Sequence, residues 1–149
     1  MTISTRGRYG VKAMLDLALN FSEDSVTVKS IAERHNIPRK YLEQVLFALK
    51  KAGLVKSVRG PTGGYALAKP PEHITVGDIL RALEGDLAPV KCVRQGQNRE
   101  KCIRERQCIT KYVWAKIRDE VNRVVDGINL KDLADAYQDE VINGYMYYI

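Results

Sequence analysis

Between positions 38 and 53 the apolar residues recur at Leu42, Val45, Leu46 and Leu49, the i, i+3, i+4, i+7 spacing that gives a helix one buried face. Pro38 suits the start of that helix, where its missing N–H is not needed, and Gly53 supplies the stop. The opposite face carries Lys40, Gln44 and Lys51, with Arg39 and Glu43 on its flanks. A shorter helical pattern runs from Val28 to His35 with Thr27 as its candidate N-cap. Asn36-Ile37-Pro38 joins the two helices tightly, so that Leu49 and Leu54 are expected to pack on Ile31. Beyond Gly53, residues 54–58 and 65–67 are β-prone runs separated by Arg59-Gly60-Pro61-Thr62-Gly63-Gly64, whose glycines permit the positive φ of a tight connection.

This order predicts a helix-turn-helix followed by a two-stranded wing with Arg59 at its tip. Residues 5–21 add an amphipathic helix beneath it, with Val11, Met14, Leu15, Ala18 and Phe21 on one stripe, and residues 22–26 read as a polar turn. Lys69-Pro70-Pro71 ends the second strand. Thr75 to Asp78 reads as a capping box opening a structural helix with Val76, Ile79, Leu80 and Leu83 inward and Gly85 as its stop. His73, just before it, reads as a loop residue. From Pro89 to Gln107 the periodicity vanishes, and a loop of that length without structure of its own is usually functional or disordered.

A long helix is expected from Ile109, with Val113, Ile117, Val121, Val124, Val125 and Ile128 on one face. Such a stripe wants a partner helix, and the simplest partner is its own copy across a two-fold axis. A short helix after Asn129 and an aromatic tail over residues 144–149, expected to dock, complete the chain. The expected fold class is therefore mainly α. It comprises a winged helix-turn-helix domain over 1–85, a cysteine-containing loop over 86–108, and a dimerisation helix with a C-terminal segment over 109–149.

A charged helix face is ordinarily just solvated, but the distribution of charge argues for more. Residues 1–60 hold 11 Lys and Arg against 5 Asp and Glu, whereas residues 61–149 hold 13 of each, so the whole net charge of +6 sits with the motif. That placement suits a polyanion, and double-stranded DNA is the expected partner. Arg6, Arg8 and Lys12 are further candidates for phosphate contacts. No apolar run reaches the roughly 20 residues of a membrane span, and the N-terminus lacks the apolar core of a secretory signal, so a cytoplasmic protein without membrane contact is expected.

All three cysteines, Cys92, Cys102 and Cys108, fall in the aperiodic loop. No pair has the two-residue gap of a zinc knuckle or a dithiol redox motif. Three thiolates on one loop suit an iron–sulfur cluster, which normally takes four ligands, and seven basic residues against Glu100 and Glu105 between Lys91 and Lys111 would favour thiolates there. The fourth ligand stays open among Glu100, Glu105, a partner subunit's carboxylate and an exogenous thiol. Unconnected reduced cysteines, or one redox-reactive thiol, are the alternatives. An enzyme, such as a small thiol oxidoreductase using Cys102 and Cys108, is disfavoured: there is no CxxC, no cofactor-binding glycine fingerprint and no histidine near the thiols.

The strings STRGRYG at 4–10, YLEQ at 41–44 and VRGPTGGY at 58–65, with the cysteine loop and the long helix, resemble the Rrf-type winged-helix repressors of bacteria over nearly the full length. The resemblance implies a homodimer built on the long helix that binds a palindromic operator. It implies DNA contacts from Arg39, Lys40, Tyr41, Glu43 and Gln44 on the helix and from Arg59 and Gly60 in the wing, with Arg59 in the minor groove and Glu43 helping to select operators. In the family's IscR-like branch three loop cysteines hold a 2Fe-2S cluster, and Cys92, Cys102 and Cys108 match them. The gap after Cys92 is longer than in the enterobacterial pattern, and the histidine serving there as fourth ligand is matched by Lys111. GDILRALEG at 77–85, IRD at 117–119 and the tail YMYYI at 145–149 are instead similar to the CymR-like branch, which carries no cluster. The loop points to a repressor of cluster biogenesis genes whose cluster orders the segment between head and dimer helix. The scaffold points to a regulator of cysteine metabolism working through a partner enzyme, cysteine synthase, or a redox thiol.

Overall fold

The protein is described from a computed structural model covering residues 1–61, 63–96, 99 and 101–147, with side chains of 145–147 left aside. Helix α1 (Thr5–Leu19) is capped by Ser4, whose side chain accepts a hydrogen bond from the Gly7 N–H. Helices α2 (Val28–His35) and α3 (Arg39–Lys51) form the helix-turn-helix, with Asn36 in the left-handed conformation between them. Strands β1 (Val55–Val58) and β2 (Gly64–Leu67) pair antiparallel from Val55 opposite Leu67 to Val58 opposite Gly64. Helix α4 (Val76–Glu84) carries both halves of the Thr75/Asp78 capping box, and α5 (Thr110–Asp126) and α6 (Leu130–Tyr147) complete the chain.

Met14, Leu17, Ile31, Leu42, Val45, Leu46, Leu49, Ile74, Ile79 and Leu130 are almost wholly buried in one cluster. An isolated helix as short as α3 is marginal in water. Its four buried apolar side chains, each contributing about 1.5–3 kcal/mol, are what hold it in place. Gly53, at φ +77°, closes α3: its N–H reaches Lys50 O and the Leu54 N–H reaches Leu49 O, both at 3.0 Å. That turn sends the chain into β1.

Several local expectations are corrected. Helix α1 ends at Leu19, and its buried line runs through Ala13, Met14, Leu17 and Ala18, leaving Phe21 beyond its end and exposed. Val26 is no mere turn residue: it is buried and exchanges two 2.8 Å backbone hydrogen bonds with Tyr65, adding a third short edge to the wing sheet. Gly64 sits so close to the Val26 carbonyl that a Cβ there would collide with backbone. The segment after Asn129 is an 18-residue helix rather than a short one, and it returns to pack on α1. Asn129 and Asp132 cap it reciprocally, and Leu130 N–H to Ile74 O at 2.9 Å clamps its start beside α4. The expected docking of the aromatic tail falls on residues whose side chains lie outside the described set.

Among the described residues, Asp16 is the buried charged residue of the core, at 3% exposure. Arg34 grips its carboxylate with two hydrogen bonds of 2.7 and 2.8 Å, and His35 Nε2–H donates to it at 2.9 Å. Burial pushes the Asp16 carboxyl upward, but the hydrogen bonds and charges of Arg34 and His35 outweigh it and hold the group below the usual carboxylate range. The cluster ties α1 to α2.

Candidate nucleic-acid interface and cysteine loop

Burial of Leu42, Val45, Leu46 and Leu49 fixes the rotation of α3, and that rotation turns Arg39, Lys40, Glu43, Gln44, Phe47, Lys50 and Lys51 to solvent. Arg39 Nε and Glu43 Oε1 lie 3.5 Å apart, both exposed, a pairing that restrains the two side chains at the helix start. Tyr41 is turned partly inward, its ring edge-on to Tyr9 with centroids 5.6 Å apart. Arg6, from the start of α1, joins Lys40, Glu43, Gln44, Phe47 and Lys51 around one open cleft. The wing stands beside this face, and Lys50 Nζ donates to Ser57 Oγ at 2.9 Å, bracing β1 against α3. Arg59 and Gly60 are exposed at the wing tip, where Gly60 has φ +127° and its carbonyl accepts from the Gly63 N–H at 3.0 Å. Thr62, in the expected turn, lies outside the described residues.

The geometry therefore brings Arg6 of α1 to the exposed face of α3 and ties β1 of the wing to the same helix through Lys50 and Ser57. Phe47 had no sequence signal beyond its i+7 spacing from Lys40, which places it on the polar face.

The loop after α4 is not wholly structureless. Lys91–Val93 forms a short 3-10 turn, Val93 is buried, and Arg118 Nη1 of α5 donates to its carbonyl at 2.9 Å. Cys92 is half-buried in that turn, lining a cleft with Arg94, Arg99, Lys111 and Arg118. Cys102 and Cys108 are exposed. Glu105 is engaged by both Arg99 and Lys111, and Glu100 lies outside the described residues. The Thr110 hydroxyl, 3.1 Å from Cys108 Sγ, and next the Lys111 backbone N–H hold this thiol below its ordinary range. Among the described residues no three His, Cys, Asp or Glu side chains are grouped as a metal donor set. The donor chemistry, three thiols among cations, fits an iron–sulfur group.

Helix α5 buries none of its residues. Tyr112, Val113 and Val124 are exposed on it, and Tyr137, Val141 and Ile142 on α6. Helix α5 is tied to the head through Arg81 of α4, which grips Asp126 with two 2.8 Å hydrogen bonds and Asn122 with one of 2.9 Å. Among the described residues no helix is long and apolar enough to cross a membrane.

The family model described as Rrf2, iron-dependent transcriptional regulator, matches residues 3–136. The HTH-type transcriptional regulator CymR of Bacillus subtilis is 44% identical over 149 residues, all of both chains. The HTH-type transcriptional regulator IscR of Aliivibrio salmonicida is 40% identical over 133 residues, 89% of this chain and 77% of its own. The solved structure of T. potens IscR superposes with a TM-score of 0.76 at 46% identity, covering 99% of this chain and 97% of that one. These relatives are transcriptional regulators and not enzymes, and their likeness extends through head, loop and long helices alike. The chain belongs to the Rrf2 family of winged-helix transcriptional regulators.

Proposed function

We propose that the protein is a homodimeric repressor that reads a palindromic operator with α3 and the wing, and that Cys92, Cys102 and Cys108 hold an iron–sulfur cluster through which it senses cluster status. The observation that carries the DNA reading is the gathering of Arg6, Lys40, Gln44 and Lys51 around one open cleft on the exposed face of α3. In this reading Lys40 and Gln44 would meet base edges, Arg6 and Lys51 phosphates, and Glu43 would reject wrong sequences. Arg59 would reach a minor groove flanking the major groove entered by α3. Replacing Arg59 by Ala should weaken operator binding about tenfold per wing while the dimer persists. Gel-shift titration at physiological salt checks this, and unchanged affinity would remove the wing from the interface.

The functional units follow the same division: residues 1–85 as reading head, 86–108 as sensing loop, 109–149 as dimerisation segment. Support for the cluster comes from thiols set in a cationic loop against α5 and from the 46% identity to T. potens IscR across the loop and both flanks. Such a cluster supplies a redox-sensitive tie between thiolates. The chain's own part is to hold Cys92 in the 3-10 turn that Val93 and Arg118 anchor, and to keep Cys108 thiolate-prone at the start of α5. Anaerobic purification with a visible spectrum and iron and sulfide assays tests the reading. A chromophore is expected in the wild type and not in the Cys92→Ala, Cys102→Ala, Cys108→Ala triple variant.

The second reading is a CymR-like regulator of cysteine metabolism acting through a partner enzyme or a redox thiol. It is favoured by 44% identity over the full length of the Bacillus subtilis protein and by the dispersed thiols. A colourless, iron-free wild type after attempted cluster reconstitution would establish this reading over the first.

A further inference from the structure

Among the described residues, Phe47 is the large apolar side chain of α3 that remains exposed, at 58%. A single exposed apolar residue is ordinary on a protein surface. The position of this one is not. Lys40, Glu43, Gln44 and Phe47 stand at offsets 0, 3, 4 and 7 along α3, which places all four side chains on one face of the helix. The same offsets separate the base-reading positions of homeodomain recognition helices.

The surroundings of Phe47 indicate what should cover it. The cleft it lines carries three cations, Arg6, Lys40 and Lys51, against the one carboxylate of Glu43, and its other apolar members are the small residues Ala48, Ala52 and Ala82. A protein-docking patch would present further large apolar groups; this one presents an excess of cations. Lys51 Nζ lies 5.8 Å from the ring centroid, so that one side chain offers an apolar edge while its neighbour offers charge to the flanking backbone. The apolar group that a DNA major groove displays is the C5 methyl of thymine.

We propose that Phe47 is a specificity-determining residue that packs against a thymine methyl in each operator half-site, with Lys51 neutralising an adjacent phosphate. The inference rests on the DNA-binding reading above. Cytosine offers no such methyl at that place, so Phe47 makes the head favour thymine at one position that the polar residues of α3 leave unread.

The test begins by selecting duplexes from a random pool with the full-length protein, then replacing each thymine of the selected operator in turn by deoxyuridine, which removes the methyl alone. The wild type should lose affinity about fourfold at one thymine per half-site, the value expected for one buried methyl. Phe47→Ala, with an unchanged melting temperature because the ring is exposed, should bind more weakly and show no penalty for that replacement; Phe47→Leu should keep part of it. Equal affinity for every deoxyuridine operator, or the same penalty in Phe47→Ala as in the wild type, overturns the role of Phe47 while leaving DNA binding intact. A pool that yields no enriched duplex overturns the DNA-binding reading and this inference with it.

Discussion

Replacing Val113 and Val124 together by Asp is expected to convert the dimer to monomers and to lower operator affinity by about two to four orders of magnitude. No residue of α5 is fully buried within its own chain, and these two valines stand 46% and 50% exposed on its apolar stripe. Removing such a stripe from water requires a second helix, and carboxylates introduced on both copies would be desolvated in that interface without a partner. The loss on DNA follows from tethering. Once one head is bound, the second searches its half-site at an effective concentration set by the dimer, and a monomer forfeits that advantage without losing any contact of its own. Sedimentation equilibrium and gel-shift titration read the two effects separately. A double variant that stays dimeric would move the interface elsewhere, with the exposed Tyr137, Val141 and Ile142 of α6 the next surface to test.

Replacing Asp16 by Ala should destabilise the head by about 2–3 kcal/mol, equivalent to a fall of very roughly 4–12 °C in Tm for a chain of this size. The change removes the carboxylate that joins Arg34 and His35 to α1 and leaves a small void beneath α2. Arg34 is nearly half exposed and recovers hydration, which keeps the cost at the low end for a buried ion pair. The pH dependence has a definite sign. Because the folded state holds the Asp16 carboxyl below its ordinary value, its stabilisation is fully present above the unfolded value near about pH 4 and is lost as pH falls through the lower folded value. The stability gap between wild type and Asp16→Ala should therefore be constant at neutral pH and narrow under strongly acidic conditions. A gap that persists undiminished in acid would assign the effect to packing rather than charge.

The alternation of apolar and polar positions was sufficient to place α2, α3, both wing strands and α4 within a residue or two, because each of these segments buries one face and its period survives in the chain. The capping box at Thr75 and the stop at Gly53 were legible for the same reason: caps and turns are chemistry between near neighbours. The basic face of α3 was also visible, since fixing which side is buried fixes which side is not.

What lay beyond the sequence depends on contacts between distant positions. Asp16 looks like an ordinary polar interruption of α1 until Arg34 and His35, 18 and 19 residues away, are brought against it. Val26 reads as the end of a polar turn until Tyr65 offers it two backbone hydrogen bonds. The stripe of α1 was placed a fraction of a turn off because the helix is covered by α3, α4 and α6 at once, and no single period describes a helix buried on several sides. Phe47 shows the reverse case: hydropathy alone assigns a phenylalanine inward, its i+7 spacing from Lys40 sets it on the polar face of α3, and only the fold brings Arg6 of α1 to the same cleft. The sequence by itself determined the elements and the sign of the DNA-facing surface, because these follow from local periodicity and charge. The tertiary structure alone decided the buried charge cluster, the third edge of the wing sheet and the meeting of Arg6 with the exposed face of α3, because each requires residues far apart in the chain to meet.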